Sequence, residues 1–142
     1  MDNNDALQLE KQLCFPLYVC AKEVVRKYTP FLEKIGLTYT QYIVMLVMWE
    51  HERLTIKELG NYLYLDSGTL TPLLKKLEKE QLLQRTRSSS DERQVYITLT
   101  SNGKKLKKHA QSIPSAISSC IPLSIEDAQT LYTLLHKLLR QL

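Results

Sequence analysis

LDSGTLTPLLKKLEKEQLLQRTRSSSDERQVYITLTSNG, residues 65–103, changes its apolar period partway along. Ser67 can cap a helix, and Leu70, Leu73, Leu74 and Leu77 then recur at i, i+3, i+4 and i+7, the spacing that lines one face of an α-helix. Thr71, Pro72, Lys75, Lys76 and Lys79 take the opposite face, with Pro72 in the first turns, where a missing amide costs little. Further on, LLQRTR, SSSDER and QVYITLT read as strand, polar loop and strand, because Val95, Ile97 and Leu99 alternate with Tyr96 and Thr98. A helix with a basic free side followed by an arginine-tipped hairpin predicts a recognition helix and a wing.

Upstream, Thr55 can cap IKELGNYL, where Ile56, Leu59 and Leu63 share a face. That segment and the one after Ser67 form two short helices joined by a tight turn, the pattern of a helix-turn-helix. Thr38 or Thr40 can cap the preceding helix, which runs through Trp49 to about Glu52. Leu7 to Tyr28 also has helical spacing, and Pro30 predicts its end because proline disfavours helical geometry at the residue before it. Pro16 interrupts that pattern, so the helix either kinks there or begins there. Downstream, Thr100 can cap SNGKKLKKHA, and Ser124 with Asp127 can cap a last amphipathic helix carrying Leu131, Leu134, Leu135 and Leu138.

The totals bound the classes. The chain has 142 residues, 44% of them hydrophobic and 24% charged, with 4 Gly and 5 Pro, which argues against a β-sandwich and against disorder. MDNNDALQLEKQ has neither a basic nor an apolar leader region, so no secretory signal is expected. The longest apolar run, Tyr42 to Trp49, is far below the ~20 residues of a membrane span. Three cysteines without an export signal predict reduced thiols in a cytoplasmic protein, not a disulfide framework. Residues 67–108 hold ten Lys/Arg against four Asp/Glu, a net +6 that leaves −2 for the remainder of the +4 chain. A basic segment on a slightly acidic body suits a phosphate-facing surface, although a solvated charged face has the same composition.

The fold class expected is mainly α with a small β-wing: one domain over residues 1–142, with a winged helix-turn-helix core at about 38–100. The apolar faces of the terminal helices, about 7–30 and 101–142, lie outside that core, and a two-fold helical dimer is the simplest way to bury them.

The order of elements, together with LDSGTLTPLLKKLE and DERQVYITLTSNG, resembles the MarR family of winged-helix transcription factors over nearly the whole chain. QLCF at 12–15, YLDSGTLTPLLKKLE at 64–78 and GLTYTQYIVMLVMWE at 36–50 are similar to its OhrR-type branch, bacterial repressors that sense organic hydroperoxides through a cysteine. The resemblance implies a homodimer on double-stranded operator DNA, with Cys14 as the peroxide-reactive thiol and Tyr28 and Tyr39 beside it across the dimer interface. It implies that Asp91 and Arg93 act together in the wing, with Arg93 entering the minor groove. Some members of the branch resolve the oxidised cysteine with a second one near the C-terminus of the opposite subunit, which here would be Cys120; others use a low-molecular-weight thiol. Pro16 departs from the usual pattern, where an ordinary helix former stands.

Candidate groove and phosphate contacts on this reading are Ser67, Thr69, Thr71, Lys75 and Lys76, joined in the hairpin by Arg85, Arg87, Asp91 and Arg93. Cys20 is a poor disulfide partner for Cys14, since six residues along one helix give roughly 9 Å of rise. No cofactor and no metal is expected: Cys14, Cys20, His51, His109 and His136 form no recognised ligand spacing. A thiol peroxidase would lack a Cys-x-x-Cys resolving pair and would have no use for the basic helix. A regulator of virulence or stress genes with the same thiol switch, or one gated by a small phenolic ligand, remains compatible with the same residues.

Overall fold

The computed structural model describes residues 5–142. Two 3-10 turns, Asp5–Leu7 and Leu9–Lys11, lead into α1 (Cys14–Glu33) and α2 (Tyr39–His51). There follow β1 (Arg53–Thr55), α3 (Ile56–Leu63), α4 (Ser67–Lys79), β2 (Leu83–Arg87) and β3 (Val95–Leu99), then α5 (Ser101–Ala110), α6 (Ile113–Cys120) and α7 (Ile125–Gln141).

Local chemistry sets most of these boundaries. Thr38 forms a full capping box with Gln41: its hydroxyl accepts from the Gln41 amide, while the Gln41 side chain accepts from the Thr38 amide. Thr55, Thr100 and Ser124 accept from the amides of Glu58, Gly103 and Asp127, as their positions before apolar runs predict. The cap of α4 is Asp66, not Ser67; Asp66 Oδ1 accepts from the Thr69 amide at 2.7 Å, and Ser67 becomes the first helical residue. Both residues are good cap formers, and the carboxylate is the stronger acceptor.

Two prolines behave differently from expectation. Pro30 lies inside α1, which continues to Glu33, because Leu32 is buried and Phe31 and Ile35 pack against the core beyond it. Tertiary burial outweighs the local preference of the residue before proline. Pro72 is the sixth residue of α4 and so does remove one helical bond, to the Gly68 carbonyl, at an exposed position open to water. Pro16, by contrast, is the third residue of a helix that begins at Cys14, where amides lack intrahelical partners in any case.

The sheet has the order β1-β3-β2, all antiparallel, with Leu54 and Arg85 both opposite Ile97. β1 has no counterpart in the sequence reading. The core packs Val44, Met45 and Met48 of α2 against Leu59, Leu70, Leu74, Leu77, Leu83 and Ile97. It also takes in Ile113 and Ile117 of α6, so part of the 101–142 region is buried within the chain. The Trp49 indole N–H donates to the Gly103 carbonyl at 2.8 Å, tying α2 to the start of α5. α7 has no buried residue, and Leu13, Leu17, Leu131, Leu134 and Leu138 are all exposed in the single chain.

Candidate nucleic-acid interface and thiol site

α4 is held by its apolar stripe, Leu70, Leu74 and Leu77, each fully buried. The other side therefore faces out, with Ser67, Thr69, Lys75 and Lys76 exposed and Thr71 half-buried, its hydroxyl donating to the Ser67 carbonyl at 2.7 Å. The helix starts close against α3. A Cβ on Gly60 would stand 2.5 Å from the Leu65 carbonyl oxygen, and that approach lets Tyr64 turn the chain in the left-handed region, φ 56°. The Thr69 amide bond holds the Asp66 carboxyl below the usual carboxylate range.

The wing loop is ordered by its own side chains. Arg87 donates to the Glu92 carbonyl at 3.1 Å, and Ser88 Oγ accepts from the Asp91 amide at 3.4 Å. Asp91 Oδ1 accepts from the Arg93 amide at 3.0 Å and lies 3.8 Å from Arg93 Nε, while the Arg93 side chain is 96% exposed. Asp91 thus fixes the backbone from which Arg93 projects. Arg85 differs from the other candidates: its Nε donates to Glu78 Oε1 at 3.2 Å and its amide to Glu78 Oε2 at 2.8 Å, so it joins β2 to α4 at the base of the wing.

Between α3, the start of α4 and the wing opens a cleft of about 780 Å³ lined by Lys57, Asn61, Asp66, Ser67, Arg93 and Gln94, among others. Lys57 and Asn61 were not singled out from the sequence. Their signal was the polar side of IKELGNYL, opposite Ile56, Leu59 and Leu63.

Cys14, Cys20 and Cys120 are all free and exposed. The Tyr28 and Tyr39 rings meet edge-on with centroids 5.0 Å apart, and Tyr42 lies 5.7 Å from Tyr28 and 6.4 Å from Tyr39. Burial, and then the neighbouring Tyr39 and Tyr42 hydroxyls, push the Tyr28 phenol above its ordinary range, so it keeps its proton and remains a hydrogen-bond donor at neutral pH. Cys14 and Tyr28 lie on one helix fourteen residues apart, about 21 Å of rise. Within one chain the thiol and the phenols cannot touch.

Among the described residues no three His, Cys, Asp or Glu side chains come together to hold a metal ion. Among them, too, no helix is long and apolar enough to cross a membrane.

The family model for the transcriptional regulator SarA/Rot matches residues 26–110. The organic hydroperoxide resistance transcriptional regulator of Bacillus subtilis is 48% identical over 143 aligned positions, covering 100% of this chain and 97% of its own. AbfR of Staphylococcus epidermidis is similar in structure. Its reduced, DNA-bound form has a TM-score of 0.79 at 36% identity, covering 97% of this chain and 96% of that one. Its overoxidised, DNA-bound form scores 0.78 at 36% identity and covers 97% of both chains. Its disulfide form falls to 0.64 at 38% identity, covering 97% and 94%. A full-length relative at that identity, a matching family model and the winged helix-turn-helix itself lead to one assignment: the chain belongs to the SarA/Rot family of MarR-like winged-helix transcriptional regulators, in the branch of the organic hydroperoxide resistance regulators.

Proposed function

We propose that the chain is a redox-sensing repressor that binds double-stranded operator DNA as a homodimer in the cytoplasm and releases it when organic hydroperoxide oxidises Cys14. α4 enters the major groove, with Ser67, Thr69, Thr71, Lys75 and Lys76 meeting bases and phosphates. The wing carries Arg93 to the minor groove, steadied by Asp91. Arg87 braces the wing loop, and Arg85 serves the interface from the wing's base.

The Cys14 thiolate attacks the outer peroxide oxygen; the O–O bond breaks, the alcohol leaves and a sulfenic acid remains. The partner subunit donates the Tyr28 and Tyr39 hydroxyls that hold the thiolate. Condensation with the Cys120 thiol of the opposite subunit, or with a low-molecular-weight thiol, then expels water and forms a disulfide. A sulfenic acid adds one oxygen atom and demands little movement, whereas a crosslink between subunits requires two helices to approach. The AbfR structures agree with a disulfide that reshapes the fold, since the disulfide form of AbfR departs further from this fold than its DNA-bound forms do.

The observation that carries the reading is Cys14 itself: an exposed thiol at the first position of α1, on the N-terminal part of that helix, where Leu17, Val24 and Val25 are left uncovered by their own chain. Cys14→Ser tests it. The variant should bind DNA as the unmodified chain does in a mobility-shift assay and stay bound when cumene hydroperoxide is added; release of the variant by peroxide would overturn the mechanism.

A further inference from the structure

Glu78 is not among the candidate DNA contacts, yet it touches both of the elements that would read DNA. It is the last but one residue of α4, and both of its oxygens are spent on Arg85 of β2. β2 is an edge strand, with β3 on one side only, so the Arg85 amide that reaches Glu78 would otherwise be an unpaired edge donor. The two bonds differ in kind. One fixes the strand backbone, and the other turns the guanidinium so that Nε faces the helix, while the two terminal nitrogens have no partner among the described residues. Arg85 and Glu78 side chains are 27% and 36% exposed, enough shelter to give the pair a defined geometry. Donation from the Arg85 amide, above all, keeps the Glu78 carboxyl below its usual range, so it is ionised wherever the protein works.

We propose that Glu78 is a positioning residue for DNA recognition: by clamping Arg85, it sets the angle of the wing to the recognition helix, and so the place where Arg93 meets the minor groove. The inference rests on the reading of the chain as a DNA-binding repressor. Its leverage comes from length. Arg85 is opposite Ile97, and Gln94, which pairs with Ser88 where the turn carrying Arg93 begins, lies three residues from Ile97 toward the tip, roughly 10 Å at about 3.3 Å per residue. A rotation of about 10° at the clamp therefore moves the tip by roughly 2 Å, several times the distance tolerance of a hydrogen bond.

The test is a double-mutant cycle in the reduced full-length dimer, using a duplex selected from a random pool by the unmodified chain. Glu78→Ala should weaken binding by about fivefold to tenfold, most of the loss given by Arg93→Ala, and should add less than about twofold once Arg93→Ala is already in place. Glu78→Gln, which keeps one acceptor and the side-chain volume, should fall between. Hydroxyl-radical footprints of Glu78→Ala should lose protection in the minor groove under the wing while keeping it beside the recognition helix. An equal loss with and without Arg93→Ala, or a footprint thinned uniformly, would overturn the positioning role and leave the DNA reading standing. If Arg93→Ala alone cost nothing, the wing would not be reading DNA and the positioning role would fall, while binding through α4 would still stand. Should Glu78→Ala fail to fold by circular dichroism, Glu78→Gln decides by the same cycle.

Discussion

Gly60→Ala and Gly68→Ala exchange the same atoms eight residues apart and should move stability in opposite directions. At Gly60 the new Cβ would stand 2.5 Å from the Leu65 carbonyl oxygen and 3.3 Å from Leu70 Cδ1. An unstrained carbon–oxygen contact is about 3.3 Å, so roughly 0.8 Å of separation must be found. It must come from backbone, because Leu65 leads directly into the Asp66 cap of α4 and its amide bonds the Gly60 carbonyl at 3.1 Å. Overpacking of this kind costs about 1–3 kcal/mol, against which alanine returns about 1 kcal/mol of helix propensity. The net expectation is a loss of up to about 2 kcal/mol, with the recognition helix displaced. At Gly68 the nearest atom is Asp66 Oδ1 at 3.4 Å, an ordinary contact, so propensity prevails and stability rises by up to about 1 kcal/mol. Urea unfolding at one fixed protomer concentration should separate the midpoints by roughly 1 M, given slopes of about 1–3 kcal/mol/M. Coincident midpoints would refute the close approach of α3 and α4.

Tyr28→Phe and Tyr39→Phe should each slow oxidation of Cys14 by cumene hydroperoxide about tenfold or more, since each removes one hydrogen bond to a charged acceptor worth about 1.5–3 kcal/mol; unchanged second-order rates in both would return the tyrosines to a packing role. Peroxide should give a reducible dimer on non-reducing gels, lost in Cys120→Ser and kept in Cys20→Ser, and the reverse result would exchange the two cysteines' roles. If no crosslink forms in the unmodified chain, a low-molecular-weight thiol resolves Cys14. Lys75→Ala should flatten the salt dependence of DNA binding by about one ion per site, and an unchanged slope would turn Lys75 away from the phosphates.

What could be read from the sequence was what short-range chemistry decides. Thr38, Thr55, Thr100 and Ser124 cap helices because the acceptor and the amide it serves lie three residues apart, a relation that needs no tertiary structure. The wing was legible for the same reason, its alternation surviving in Val95 to Leu99. β1 was not, because three residues carry no period and only pairing with β3 makes them a strand. Pro30 misled because the residues that keep α1 going, Leu32 above all, are anchored by distant parts of the core. Among the site residues, the exposed face of α4 followed from its leucines. The engagement of Arg85 with Glu78 did not, since it depends on how a helix end meets a strand edge. The separation of Cys14 from Tyr28 could be counted in the sequence, but the residues around the thiol could not, since on the proposed reading they come from a second copy.

Trp49, the single tryptophan of the chain, gives the molecule an optical gauge of its own. Its indole is 8% exposed, with the Tyr42 ring 6.5 Å away on the side of the phenol cluster and the Gly103 carbonyl on the side of α5. Tyrosines excited in the ultraviolet hand their energy to a nearby indole, so emission would register the tyrosine cluster and the root of the wing at once. Any transition that slides α2 along α5 must change the colour or the yield of that emission, while one confined to α7, which has no buried residue, would leave the emission unchanged. The two kinds of movement are therefore distinguishable in an unlabelled cuvette, by a residue placed at the joint.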